Sequence, residues 1–296
     1  MTRHAHHPTA LRRLTRTLPL LIALLAVAWT TRAHADDEPA EEPPVQLRGV
    51  GELGGLIVLS HTVQLSKSGT VFDYPSDGGQ NVFFPFWRLS AELELDGAHT
   101  FILLYQPLDL QTSKVLDRDL VADGLRFPAG TAMDLRYFFD FYRGSYLYDF
   151  WWDRPRDEFA WGLSLQIRNA IIDFTSADGT LSRTRSNIGP VPALKIRVRR
   201  TLDSGFWLGG EVDGMYAPVK YINGGDSDVQ GAIIDLSLRA GYVVTESVDL
   251  FANLRLLGGG AEGTGTPEQY SDGYTANWLG FLSPSLGVIW TPTASL

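Results

Sequence analysis

A chain of 296 residues, 44% of them hydrophobic, can form one large domain or two small ones. Its 25 basic and 34 acidic residues give a net charge of −9, which argues against nucleic acid as a partner. There is no cysteine, so the fold owes nothing to disulfides.

Residues 1–16 carry Arg3, Arg12, Arg13 and Arg16 and no acid, and an apolar run follows from Leu18 to Trp29. Ala33-His34-Ala35 closes the segment. A basic region, a short apolar region and an A-x-A site make residues 1–35 a secretory signal peptide, with Ala33 and Ala35 framing cleavage. The apolar run is too short to serve as a spanning anchor. N-terminal sequencing of the mature protein should begin at Asp36, and an intact Met1 on membrane-extracted protein would refute export. Residues 36–45 (DDEPAEEPPV) are acidic and proline-rich and read as a disordered tail. Five arginines leave with the signal, taking the charge from −9 to −14, and only His61 and His99 remain of the histidines.

From 46 to 296 the chain alternates. In "FFPFWRLSAELEL", Trp87, Leu89, Ala91 and Leu93 are set against Arg88, Ser90, Glu92 and Glu94. Trp161, Leu163, Leu165 and Ile167 alternate with Gly162, Ser164, Gln166 and Arg168, and Leu194, Ile196 and Val198 with Lys195, Arg197 and Arg199. The stretch "GAIIDLSLRAGYVVTESVDLFANLRLL" sets Leu236 and Leu238 against Asp235, Ser237 and Arg239, then Leu250 and Leu254 against Asp249 and Arg255. A period of two is the mark of a strand with two unlike faces. Strands are expected at roughly 46–63, 81–96, 99–112, 132–152, 158–174, 188–202, 205–217, 231–245, 248–258 and 276–290. Tight turns at 96–99, 153–158, 202–205 and 245–247 alternate with long polar links at 64–80, 113–131, 175–187, 218–230 and 259–275.

Short turns at one end and long loops at the other describe an up-and-down meander. Aromatic residues collect at both ends of the strands. Phe150, Trp152, Phe159, Trp161, Phe206 and Trp290 lie by the short turns, and Phe83, Trp87, Tyr137, Phe139 and Trp278 by the long loops. Two such bands are expected where strands cross two membrane interfaces. A soluble β-sandwich or lipocalin-like barrel would bury the apolar face and scatter its aromatics. The fold class is therefore all-β: a transmembrane up-and-down antiparallel β-barrel of about ten strands, with eight or twelve as alternatives. Trp87, Trp152, Trp161, Trp278 and Trp290 form its aromatic girdles.

The C-terminal "SPSLGVIW", with Gly287 and Trp290, resembles the last-strand signal read by the barrel-assembly machinery, although the chain continues through Thr291 to Leu296. With "FPAGTAMDLRYFFDFYRGSYLYDF" and "SLQIRNAIIDF", nearly the whole mature chain resembles small proteobacterial outer-membrane barrels of the OmpA/OmpW type, and an uncharacterised family among them. The resemblance implies a bacterial outer-membrane location, lipid and lipopolysaccharide as surroundings and the assembly machinery as a partner in biogenesis. It implies no activity.

The inward face then carries Arg88, Glu92, Glu94, Arg168, Lys195, Arg197, Arg199, Glu211, Asp213, Asp235, Arg239, Asp249 and Arg255, with Asp149 beside them. Bases gather at 195–199 and acids follow at 211 and 213, which predicts cross-strand ion pairs and a charge-filled lumen. The first alternative is a narrow channel of the OmpW kind. The second is a lipid-modifying enzyme using His61, but Ser60 beside it points to the opposite face, and no catalytic site, cofactor or metal is assigned. Asp117, Asp119 and Asp123, or Asp226 and Asp228, could offer oxygens to calcium but read as solvated loop acids. Gly258, Gly260 and Gly263 match G-x-G-x-x-G but fall in a long loop with no helix after them, which argues against a dinucleotide site.

Overall fold

The computed structural model describes residues 44–218, 228–265 and 271–292; the side chains of Arg168, Asn187, Ile188, Ala217 and Pro218 lie outside that description. The signal, its Ala33–Ala35 site, most of the acidic tail and Asp226 also fall outside it.

Alternation becomes strand along nearly all of the described chain. The first strand, β1 (Val45–Leu65), leads into a two-residue β2 (Phe72–Asp73) and a single turn of helix, α1 (Tyr74–Asp77). Then come β3 (Phe83–Leu95), β4 (His99–Gln106), β5 (Asp109–Val115) and a small hairpin, β6 (Leu120–Ala122) with β7 (Leu125–Phe127). Long strands complete the chain: β8 (Ala132–Asp149), β9 (Asp157–Ser176), β10 (Ser182–Thr201), β11 (Phe206–Pro218), β12 (Gln230–Thr245), β13 (Val248–Thr264) and β14 (Tyr274–Trp290). Each pairs antiparallel with its neighbour, and β14 returns to β1 from Gly49↔Trp290 to Leu65↔Thr275. Counting β4 and β5 as one wall position, ten strands close a barrel. Closure satisfies the wall's backbone and removes the edges a sheet would otherwise expose.

The exterior is apolar where it faces lipid. Leu53 and Leu103 are each 72% exposed and Leu286 is 71%, values that a water-facing surface seldom gives three leucines of one belt. This exterior on a closed sheet is that of a transmembrane barrel. Of the expected girdle residues, Trp152, Trp161 and Trp290 are exposed at the short-turn end. Trp87 is exposed and meets Tyr105 edge-on at 5.6 Å. Trp278 is half-buried and donates its indole N–H to Glu262 at 3.2 Å.

Three expectations need correction. The link at 175–187 is not a long loop: β9 and β10 run on until only residues 177–181 join them, with Gly179 at φ +73° making the turn. Gly258, Gly260 and Gly263 lie in strand, since β13 extends to Thr264 against β12 and β14. Tyr137 and Phe139 belong to no girdle. They point inward from β8, at 0% and 6% exposure, while Asp134 and Arg136 point outward. The reason is that β8 outruns the bilayer. Its upper exterior meets water and is polar, with Arg136 bound to Asp109 at 2.8 Å, so the apolar residues there are the inward ones.

Candidate functional site: the filled lumen

The inward side chains form three storeys. At the short-turn end Val50, Trp207, Phe251 and Ile289 make a small apolar floor. At the long-loop end lies a larger core. Strands supply Leu56, Phe84, Phe86, Tyr137, Phe141, Ile172, Phe174 and Phe281, and the connecting segments add Phe72, Tyr74, Leu116, Leu120 and Phe127. Between them sits a charged layer, which continues past the floor toward the short turns at Arg48, Glu94, Asp149, Glu158 and Asp249. Small residues make the floor fit: Trp207's ring lies where a Cβ on Gly241 would stand, at 2.4 Å.

The charged layer contains most of the acids and bases expected inside. Asp213 accepts from Arg143 at 2.7 Å, from Lys195 at 3.0 Å and from the Ser164 hydroxyl at 2.5 Å. Asp235 accepts from Arg255 Nε at 2.6 Å and Nη2 at 2.8 Å, and from Arg143 at 3.0 Å, while Arg255 Nη1 goes to Gln106. Glu211 takes Lys195 at 2.8 Å and Arg239 at 2.6 Å. Glu92 takes Arg197 at 2.8 Å, and Asp249 takes Arg199 at 2.7 Å. Glu94 pairs with Arg48. Asp149 caps the turn beside it, accepting the amides of Trp151 at 2.8 Å and Phe159 at 3.0 Å.

The pairs are not simply those of neighbouring strands. The sequence reading set Lys195, Arg197 and Arg199 against Glu211 and Asp213 across one turn. Lys195 does bind both acids. Arg197 stands in register with Glu211 but reaches across the barrel to Glu92 on β3, and along to Glu158 on β9 at 2.5 Å. Arg199, opposite Gly209, goes to Asp249 on β13. Length explains the difference, because a guanidinium aimed into a narrow lumen meets the far wall. Glu211, meanwhile, already holds Lys195 and Arg239.

Sequence reasoning missed the acid at the centre. Glu52 on β1, its side chain 0% exposed, accepts from Arg88 at 2.6 Å, Arg239 at 3.3 Å, Asn253 at 2.8 Å and Ser285 at 2.9 Å. It also missed Arg143, Arg48 and Glu158. The signal was present in the inward parity of Glu52 on "GVGELGGLIV", but glycine-rich alternation has little contrast.

His61 faces inward because β1 slips one residue in register between Val58 and Ser60. It is 0% exposed, stacks on Tyr74 at 4.4 Å, meets Tyr137 edge-on at 4.3 Å and shares a hydrogen bond with the Gln80 amide oxygen at 2.8 Å. A lipid-modifying base needs a nucleophile and access to lipid; the partners seen here are rings and an amide inside the upper core. His99 sits at the short-turn end, 2.9 Å from the Tyr146 hydroxyl.

The loop acids are engaged one by one. Asp123 binds Arg185 at 2.8 Å and Asp117 lies 3.5 Å from Lys114. Asp119 accepts the Ala129 amide at 2.8 Å and pairs with Arg126, and these bonds, the amide first, hold its carboxyl below the usual range. Asp228 accepts the Thr264 amide at 2.5 Å. Among the described residues no group of three acids or histidines is arranged to hold a metal ion.

No family model matches this chain, and no curated protein matches it. Among solved structures it is similar to Ail, the attachment invasion locus protein of Yersinia pestis, at 8% identity and a TM-score of 0.33, covering 83% of this chain and 99% of that one. The Pseudomonas putida toluene transporter TodX matches at 9% identity and 0.33, covering 85% and 90%. The transport unit of the autotransporter AIDA-I from Escherichia coli matches at 10% and 0.34, covering 91% and 97%. At these values none of them bears on what this chain does. The barrel rests on its own strand pairing.

Proposed function

We propose that this chain is a bacterial outer-membrane barrel of structural or adhesive role whose lumen is a closed, self-neutralising plug. The observation that carries the reading is the charged layer. Arg143, Arg197, Arg199 and Arg239 each bridge strands that are not neighbours in the wall, so ion pairs run from wall to wall. Charges crowded into a narrow interior must be paired, and here they pair with one another. Outward, the leucine belt suits lipid and lipopolysaccharide. A last strand ending on Trp290 suits the assembly machinery.

The long-loop end suits a surface role. Arg118 with Asp77 (2.6 Å) ties two connecting segments together, Arg185 with Asp123 ties one to the wall, and Arg126 with Asp119 braces that segment internally. Held in this way, the segments at 66–82 and 116–131 present a fixed surface. His61 lies beneath that surface among aromatic rings, which favours a packing role over a catalytic one.

Conductance of the refolded protein in a planar bilayer tests the plug. Little steady current is expected. Large, stable single-channel steps would overturn the plug and promote a narrow pore.

A further inference from the structure

Beside the floor, Arg48, Arg197, Arg199, Arg239 and Trp207 surround a cavity of about 40 Å³. Four buried N–H donors among these residues meet no acceptor within the described chain: Arg48 Nε, Arg197 Nη2, Arg239 Nε and Trp207 Nε1. Arg197 and Trp207 are 6% and 2% exposed. A buried donor without an acceptor is costly, and such groups rarely stand alone, let alone four around one space.

Acids also line the cavity, and each holds a cation: Glu92 and Glu158 hold Arg197, and Glu211 holds Lys195 and Arg239. The guanidinium groups of the lining are balanced in turn, Arg48 by Glu94, Arg199 by Asp249, and Arg239 by Glu52 and Glu211. Four N–H donors without an acceptor, on three arginines and an indole, favour an occupant that only accepts hydrogen bonds. The size limits the choice. About 40 Å³ admits a monatomic ion or a few water molecules, since one water needs roughly 10–15 Å³. A phosphate or an organic acid would displace the arginines.

We infer that this cavity is a halide site, holding one chloride against Arg48, Arg197, Arg239 and the Trp207 indole. The ion would be a fixed acceptor inside the plug, and the site does not depend on whether the lumen conducts.

Two measurements on the full mature chain test it. Crystals of the refolded protein grown with potassium bromide should give an anomalous peak in the cavity, within hydrogen-bonding distance of Arg197 Nη2 and Trp207 Nε1. Ordered density there without bromide signal would mean water and would overturn the site. Thermal unfolding in potassium chloride should occur at higher temperature than in potassium gluconate of equal ionic strength, rising with the logarithm of chloride. Trp207→Phe keeps an aromatic ring beneath Arg199 and removes the indole N–H, so it should abolish that difference. An unchanged chloride effect in Trp207→Phe, or none in the wild type, would refute the assignment. Should the variant fail to fold, the bromide experiment on the wild type decides alone.

Discussion

Glu52→Ala is expected to destabilise the folded barrel by about 3–5 kcal/mol, the cost of orphaning a buried cation. The Glu52 side chain is 0% exposed, and the Arg88 guanidinium beside it is 5% exposed. Arg239 would keep Glu211, but Arg88 has Glu52 as its ion-pair partner among the described residues. Asn253 and Ser285 would each lose an acceptor as well. Glu52→Gln preserves the volume and much of the hydrogen bonding but not the charge, so it should retain most of the loss. Urea titration of the refolded protein, followed by the gel-mobility shift between unheated and boiled samples, reads both. In a water-filled lumen the orphaned arginine would be solvated, and the loss would fall below about 1 kcal/mol. That result would remove the physical basis of the plug.

The importance of Glu52 also shows what a sequence of this kind conceals. Alternation revealed the strands because a two-faced wall repeats every second residue, and "DLSLRAGY" around Asp235 has strong contrast between its faces. The same rule failed to reveal Glu52, whose neighbours in "GVGELGGLIV" are mostly glycine and aliphatic on both faces. It misled outright on upper β8. Inward residues keep one parity there, from Met133 through Tyr137 and Phe141 to Arg143 and Ser145, yet their character changes from apolar to polar below Phe141. Parity is fixed by the strand, but polarity is fixed by what lies on each side of the wall. Above the bilayer the outside is water and the inside is a core, so an apolar residue there is an inward one. Loop lengths suffered similarly, since Thr175, Ser182, Thr184 and Arg185 have loop-like composition but belong to strands standing in water. Which acid meets which base was not legible either. Arg197 and Arg199 choose partners on β3 and β13, and that choice depends on lumen width, which no spacing encodes.

Leu236→Arg is expected to cost about 2–4 kcal/mol, the penalty for a charge on the lipid face near the bilayer midplane. On β12, Tyr242 is 43% exposed and marks the lower interface. Leu236 lies six residues further along, roughly 20 Å of tilted strand at about 3.3 Å per residue, which is near the middle of a belt about 25 Å tall. It is flanked in register by Val212 and Leu256, so no acid on either neighbouring strand stands beside it. Thr184→Arg supplies the control, because Thr184 is exposed on the part of β10 that pairs with polar Asp173, above the apolar belt. It should lie within about 0.5 kcal/mol of wild type. Ser237→Arg looks harmless from the sequence if the lumen has room. The structure removes that room: Ser237 is 3% exposed and stands in register between Glu211 and Arg255. Overpacking should therefore cost about 1–3 kcal/mol there, for a steric reason rather than a lipid one. The two mechanisms separate in the smaller variants. Ser237→Ala should be near neutral, and Leu236→Gln should still lose stability, because a polar amide would remain in the hydrocarbon. If Leu236→Arg proved as mild as Thr184→Arg, the leucine belt would not face lipid, and the barrel would have to be a soluble one.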